Sequence, residues 1–339
     1  MSVEILEYGK DEIVVIQMKN DFLTVRFTNL GCHILSILMP DCYGVKEDIV
    51  LGYECIEDYY GDINHMGGVI GRVANRISGG RFILNGQKYP LEVNNGPNCL
   101  HGGDDGFDSR IYDYEVEGNK VIFTYVSKDM EQGFPGNLTV KISYELKEKS
   151  ILMKCYGVCD QDTLINLTNH SYFNLAGNAK EKIYNHKLQV KANQIAMIDE
   201  MGCTTGEFMD VDGTPFDFRE FHTVGERIHE EHQQLKFGSG YDIPYILSEE
   251  KNQITLLHPE SGREMIISTS LPVTQVYSSN FLGGEPRGKD NVCYGGGDAI
   301  CLETQYLPDS VHIEDEPKAI LRKGEEYVSS TEYKFSLVK

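Results

Sequence analysis

Leu138-Thr139-Val140-Lys141-Ile142-Ser143-Tyr144-Glu145 is the stretch on which the fold turns. Apolar and polar side chains take turns throughout it, the period of a strand that buries one face and wets the other. Leu23-Thr24-Val25-Arg26-Phe27-Thr28 repeats the pattern nearer the start of the chain. Residues 120–126 and 264–270 carry β-branched side chains in both parities, which predicts strands buried on both faces. Turn signals separate these runs. Asn85-Gly86 follows Phe82-Ile83-Leu84, Gly118-Asn119 follows Tyr114-Glu115-Val116, and Ser261-Gly262 offers a third. The first two pairs tolerate the positive φ that primed hairpin turns demand.

Helical signals are sparse. Residues 223–237 are polar, with Val224, Ile228 and Leu235 as apolar points, and predict a short surface helix. No βαβ unit emerges. Gly67-Gly68-Val69-Ile70-Gly71 misses the dinucleotide spacing, and Gly295-Gly296-Gly297 runs into Asp298 and an apolar strand. Both read as flexible turns. Strands from end to end, with no repeat and no linker, predict an all-β fold: one large antiparallel β-sandwich, a single domain over residues 1–339.

Composition bounds the partners. The chain has 40% hydrophobic and 24% charged residues, ample for a packed core. Its 31 Lys+Arg against 52 Asp+Glu give a net charge of −21, a field that repels phosphate backbones and anionic lipid. Nucleic acid and membrane are therefore not expected partners, and a sugar phosphate would need a local basic pocket. The opening Met1-Ser2-Val3-Glu4-Ile5-Leu6-Glu7 lacks the basic and apolar segments of a signal peptide. No apolar run approaches the roughly 18 residues that span a bilayer. Nine cysteines, an odd number, lack metal-finger spacing, and Cys155 and Cys159 come nearest to a pair. They read as reduced, mostly buried thiols of a cytoplasmic protein, which leaves the Asn137 and Asn166 sequons without meaning.

Four segments break the strand grammar. His101 is followed by two glycines in Asn98-Cys99-Leu100-His101-Gly102-Gly103, where backbone freedom suits close approach of a ligand. Polar and apolar residues interleave in Asn166-Leu167-Thr168-Asn169-His170-Ser171-Tyr172-Phe173-Asn174-Leu175. Asp242 sits in the glycine-framed Gly238-Ser239-Gly240-Tyr241-Asp242. Glu303 follows the apolar Ala299-Ile300-Cys301-Leu302, as a carboxylate at a sheet end would. Each has a structural reading beside the functional one: a loop histidine bonded to its own backbone, a satisfied buried histidine, an aspartate closing its own turn, a solvated strand end. Two histidines and two carboxylates also fit zinc or non-haem iron in kind, though paired metal motifs such as H-E-x-x-H are missing.

Taken together, the segments resemble the aldose 1-epimerase, or galactose mutarotase, family. The resemblance rests on residues 68–77 (GVIGRVANRI), Leu100-His101-Gly102-Gly103 with Gly106-Phe107-Asp108, Gly133-Phe134-Pro135-Gly136, residues 168–175 (TNHSYFNL), Cys301-Leu302-Glu303-Thr304-Gln305 and residues 322–327 (RKGEEY). These span nearly the whole chain in order. The resemblance implies a galactose mutarotase-like β-supersandwich with a shallow cleft, no metal and no cofactor. It implies Glu303 as catalytic base and His170 as general acid, with His101 near the ring and anomeric oxygens. Asn75, Arg76, Asp242 and Gln275 would hold the hydroxyls, and Tyr172 would line the pocket. The partner so implied is a small-molecule monosaccharide, a galactose- or glucose-like aldohexose whose anomers are interconverted. Oligomeric state stays open, monomer or weak homodimer.

Those roles suit the reaction. Mutarotation needs a proton removed from the anomeric hydroxyl while another reaches the ring oxygen, which one acid–base pair can supply in both directions. A neighbouring carboxylate is expected to keep His170 protonated near neutral pH. The sequence departs from the family pattern at Ile243-Pro244, where a histidine and a small or polar residue are usual, at Tyr112 for a tryptophan, and at His312 for an asparagine. The first departure bears on which sugar is taken. Other readings stand beside this one: a hexose-6-phosphate 1-epimerase, a non-catalytic sugar-binding module, a glycosidase built on Asp242 and Glu303, and a metal enzyme.

Overall fold

The computed structural model describes residues 1–7, 12–284, 286–314 and 319–338. The Leu138–Leu146 strand lies third in a nine-stranded antiparallel sheet. Its neighbours are Lys120–Ser127 and Ser150–Cys159, and the sheet continues through Glu326–Leu337, Arg263–Thr269 and Ile254–His258. Leu138, Val140, Ile142, Tyr144 and Leu146 are buried while Lys141 is exposed, as the alternation predicts. Arg263–Thr269 corrects the expectation of two buried faces. Its burial alternates strictly, so the β-branched Ile266 lies on the half-covered outer face beside Lys334. In Lys120–Ser127, likewise, only Val121, Phe123 and Ser127 are fully buried.

A five-stranded sheet of Ser2–Glu7, Val14–Lys19, Thr24–Thr28, Ile34–Pro40 and Lys46–Asp48 packs on the long sheet, with Phe27 stacked on Tyr144 at 4.7 Å. A second five-stranded sheet runs Thr204–Asp210, Ala192–Ile198, Asp242–Leu247, Val273–Tyr277 and Cys301–Gln305. Side chains from all three sheets share one continuous core. Each buried Phe, Leu or Ile there contributes roughly 1.5–3 kcal/mol relative to exposure. This is the antiparallel β-sandwich expected from the strand pattern.

Asn85 (φ 54°) and Gly86 (φ 77°) both take the left-handed conformation, as a two-residue primed turn requires. At the second hairpin only Gly118 does (φ 62°), so that turn asks less of Asn119. Among the described residues the single α-helix is Gln233–Gly238, shorter than the expected 223–237. His222–Thr223 instead joins the edge of the long sheet, and Val224, Ile228 and Leu235 are buried from irregular backbone and helix alike. Val69–Ile70 is no flexible turn: it pairs with Thr168–Asn169. A side chain at Gly71 would lie 2.4 Å from the Phe107 ring, so the glycine answers close packing.

Candidate active site

Strand register builds one wall. Across the second five-stranded sheet, Pro244, Gln275 and Glu303 stand opposite one another, as do Asp242, Tyr277 and Cys301. Residues two apart on a strand share a face, so Asp242, Gln275 and Glu303 project to one side. Ile243, Val276 and Leu302 project to the other, into the core. Glu303 thus lies mid-strand and 2% exposed, not at the solvated sheet end expected for it. Gln275 donates to Asp242 Oδ1 at 2.6 Å and holds that carboxylate in place.

The facing wall comes from loops. Arg76–Ile77 pairs with Cys99–Leu100, and across this short ladder His101 N–H donates to the Asn75 carbonyl at 3.1 Å. Asn75 N–H in turn donates to His101 Nδ1 at 3.2 Å. That bond occupies the Nδ1 lone pair, so neutral His101 carries its hydrogen on Nε2. The glycine after His101 serves chain packing, contrary to the ligand-access reading. At φ 89°, a Cβ on Gly102 would lie 2.2 Å from the Gly71 carbonyl oxygen. His170 and Tyr172 follow Thr168–Asn169 into the cleft, their rings stacked at 5.1 Å. The two flanking asparagines are structural: Asn169 donates to the Gly67 carbonyl, and Asn174 to those of Glu181 and Asp298.

All eight residues singled out in the sequence, Glu303, His170, His101, Asn75, Arg76, Asp242, Tyr172 and Gln275, line one cleft of ≈ 360 Å³. His170 Nε2 lies 3.6 Å from Glu303 Oε1. Glu303 Oε2, Gln275 Oε1 and His170 Nδ1 are buried without a hydrogen-bond partner among the described residues. Such atoms are rare in folded proteins, and a ligand dense in hydroxyls would satisfy them. A groove of the same volume against the N-terminal sheet lacks any of these groups, and its Lys289 is spent on Asp48 at 2.8 Å.

Burial sets the proton count. It pushes the Glu303 carboxyl up to about 8, with the Asp242 charge adding and Arg76 opposing. It pulls His170 down to about 3, and the His65 charge acts in the same direction. Asp242 is likewise raised by burial against the pull of Arg76 and Gln275. His101 is held well below the ordinary histidine range, by burial first and then by His65 and His170. The expectation that a carboxylate keeps His170 protonated therefore fails. Two buried charges cost more than two neutral groups, so near neutral pH Glu303 keeps the one proton and His170 is neutral.

His65, Tyr277 and Phe281 also line the cleft and were not singled out in the sequence. The signal for His65 was a polar loop, Gly61-Asp62-Ile63-Asn64-His65, directly before the glycine-rich motif. Tyr277 was legible only through register, two residues beyond Gln275 on the same face. Of the three departures, Ile243 faces the core, Tyr112 is buried away from the cleft, and His312 bonds Asp309 at 2.6 Å outside it.

Among the described residues one group, Glu181, His186 and His258, brings histidine and carboxylate atoms close enough for a metal. It lies outside the cleft. His186 Nε2 accepts from Leu175 N–H and His258 Nδ1 from Ser261 N–H. His258 Nε2 is bonded to Glu181 Oε1 at 2.7 Å, so these groups partner one another and the backbone.

Comparison with known proteins agrees along the whole chain. A family model described as aldose 1-epimerase matches residues 14–334. Galactose mutarotase of Bos taurus is 38% identical over 335 residues, covering 98% of this chain and 96% of the relative. Aldose 1-epimerase of Escherichia coli (strain K12) is 35% identical over 325 residues, covering 93% of each. A solved structure of a GalM/aldose epimerase homologue from C. elegans superposes with a TM-score of 0.90 at 27% identity, covering 100% of both chains.

Proposed function

The chain belongs to the aldose 1-epimerase family of isomerases, and from that premise we propose that it interconverts the α and β anomers of a free aldohexose with Glu303 and His170 as its acid–base pair. One observation carries the assignment. Two titratable groups face each other at 3.6 Å in a buried cleft and hold a single proton between them.

Ring opening uses the pair as carboxylate and imidazolium. Glu303 takes the anomeric O1 proton, the O1 electrons form the C1=O1 bond as C1–O5 breaks, and O5 takes the Nε2 proton of His170. Rotation about C1–C2 presents the other carbonyl face. Closure reverses the transfers: Glu303 returns its proton to O1, and His170 accepts one from O5. Protonated Glu303 with neutral His170, the arrangement that burial favours, is the state that performs closure. The ion-pair state differs from it by one proton moved within the pair, so the site needs no exchange with solvent. His101 Nε2–H donates to the sugar near O5 and O1. Asn75, Arg76, Asp242 and Gln275 bind the remaining ring hydroxyls, and Tyr172 packs beside them.

The 6-phosphate alternative gains no support from the cleft. Arg76 is the only Lys or Arg lining it among the described residues, and its charge acts on Glu303 and Asp242. A glycosidase built on Asp242 and Glu303 would leave His170 and its contact with Glu303 without a task. We further propose that residues 1–339 act as one domain and that the chain works in the cytoplasm, which its nine free thiols suit. No helix among the described residues is long and apolar enough to cross a membrane.

Polarimetry of freshly dissolved α-D-galactose and α-D-glucose tests the proposal. The protein is expected to accelerate equilibration, and Glu303→Gln and His170→Asn to lower kcat by at least about a hundredfold each. A protein that binds these sugars without accelerating the change in rotation refutes the catalytic reading. Activity confined to 6-phosphates transfers the proposal to that substrate class.

A further inference from the structure

His65 is a third titratable group in the cleft and has no part in the proton transfers above. Its Nδ1 is bonded to Asp108 Oδ2 at 2.6 Å. Asp108 is itself buried on the short helical turn Phe107–Ser109, and its carbonyl oxygen is bonded to His33 Nε2 at 2.9 Å. The carboxylate therefore fixes the His65 ring and leaves one nitrogen, Nε2, free. That atom has no hydrogen-bond partner among the described residues, while the side chain lines the cleft and is 19% exposed.

The same backbone places His65 and His170. Gly68 N–H donates to the His65 carbonyl, Gly67 N–H to the His170 carbonyl, and His170 N–H to the Gly68 carbonyl. The two imidazole centroids are 6.0 Å apart, and His101 completes the cluster at 4.7 Å from His65 and 5.4 Å from His170. His170 thus touches Glu303 through Nε2 and faces His65 with its ring. His65 also holds φ 56°, a left-handed conformation uncommon for a histidine. The surrounding bonds keep it there.

We propose that His65, anchored by Asp108, binds the exocyclic C6 hydroxyl of the aldohexose and makes the site selective for sugars that carry it. This rests on the reading of the cleft as an anomerase site, with O1 at Glu303 and O5 at His170. In a hexopyranose the C6 hydroxyl hangs from C5, the carbon bonded to the ring oxygen, and its gauche rotamers bring O6 to hydrogen-bonding range of O5. A polar group beside the ring-oxygen acid is therefore placed for O6. The hydroxyls at C2, C3 and C4 fall to Asn75, Arg76, Asp242 and Gln275. A hydroxyl both donates and accepts, so Nε2 pairs with it whether His65 is charged or neutral. Burial alone would depress the imidazole, but the Asp108 charge and hydrogen bond outweigh it and raise the group above its ordinary value. That favours the donor form, in which Nε2–H points to O6.

The test compares D-galactose with its 6-deoxy analogue, and D-glucose with D-xylose, by polarimetry. Wild type is expected to favour each C6-hydroxylated sugar in kcat/KM by about tenfold, the effect of one well-made hydrogen bond. His65→Asn keeps an amide N–H at the Nδ1 position for Asp108 and tolerates the left-handed backbone, yet lacks Nε2. It should lower kcat/KM on the two hexoses about tenfold. The 6-deoxy sugar and the pentose already lack the bond, so a change there comes through the His65 charge on His170 and is common to both classes; the preference for each hexose over its C6-lacking counterpart in kcat/KM should fall about tenfold. Equal rates of wild type on sugars with and without the C6 hydroxyl overturn the inference, and need no variant to fold. So does an equal loss in His65→Asn on both classes. Wild type inactive on every aldose would sink the anomerase reading itself, whereas retained activity without C6 selectivity sinks only the role of His65.

Discussion

Glu303→Gln should stabilise the protein at neutral pH while abolishing its activity. In the folded chain burial raises the Glu303 carboxyl from an ordinary 4.5 to about 8, so at pH 7 about nine-tenths of the molecules carry it protonated. Glutamine matches that neutral acid in size and charge, and leaves the folded state nearly unchanged. The unfolded state differs. There a glutamate ionises freely, and at pH 7 it gains about 1.4 kcal/mol for each pH unit above its own pKa. Over about 2.5 units that is about 3 kcal/mol of stability that wild type forgoes and the variant recovers.

The sign follows from linkage. A carboxyl whose folded pKa is raised contributes full stability below its unfolded pKa and loses it as pH climbs toward about 8. The gap between variant and wild type should therefore be near its maximum at pH 8, and below about 1 kcal/mol at pH 5. With an unfolding entropy of about 2.1 cal/mol/K per residue, 3 kcal/mol corresponds to about 4 °C in Tm for a chain of 339 residues. Thermal melts of both proteins at pH 5, 7 and 8 measure this. A variant less stable than wild type at pH 7, or a Tm difference independent of pH, would refute the placing of the proton on Glu303.

Four other outcomes follow from the same geometry. The pair holds one proton between about pH 3 and about pH 8, so kcat/KM, corrected for the uncatalysed rate, should form a broad plateau across that range. It should fall about tenfold per unit above it, where no acid is left, and below it, where no base is left; a midpoint near 6.5 contradicts this. Asp242→Asn removes a charge that raises Glu303, so the alkaline limb should move to lower pH while KM rises. Arg72 is 2% exposed and donates to Ser127 Oγ and to the carbonyls of Pro135 and Gly136. Arg72→Ala orphans those acceptors and should cost about 3 kcal/mol or more in urea unfolding. Gly102→Ala meets the Gly71 carbonyl at 2.2 Å with φ at 89°, and should lose soluble expression or unfold at markedly lower urea.

How much of this was readable from the chain depends on the length scale of the cause. Alternation is local, so Leu138–Leu146 and Thr24–Thr28 stand where the pattern puts them. Burial of the second face is not local. The β-branched residues of Arg263–Thr269 suggest two covered faces, but only the packing of whole sheets decides that, and one side stays half open. The helix expected over 223–237 shrank to Gln233–Gly238 because tertiary packing buries Val224 and Ile228 without helical backbone. At the site, the eight residues named through family resemblance do converge on one cleft. For His65 the polar loop before the glycine-rich motif was the one local signal; its bond to Asp108, 43 positions away, had none. The Ile243-Pro244 departure was readable as a difference but not as an effect. Strand parity turns Ile243 into the core and puts Pro244 on the face of Gln275 and Glu303, so the two halves of the departure act on opposite sides of the sheet.

The same burial that costs stability makes the pair reversible. From ordinary values of 6.5 and 4.5, imidazole would outbid carboxyl for a shared proton about a hundredfold, and the ion pair would dominate. Burial inverts that order. In the proposed reaction a sugar hydroxyl pairs with the Glu303 carboxylate, whose Oε2 has no partner among the described residues, and the ring oxygen pairs with His170 Nε2; hydrogen bonds to a charged form favour that form. Substrate therefore moves the pair back toward carboxylate and imidazolium without adding or removing a proton. The proposed reaction opens one anomer and closes the other through the same pair, so neither tautomer can be held far below the other. A solvated pair would hold the opening state too deeply, and a dry unliganded one the closing state. A buried cleft whose unmet polar atoms are completed by the substrate brings the two close in energy only while a sugar is bound.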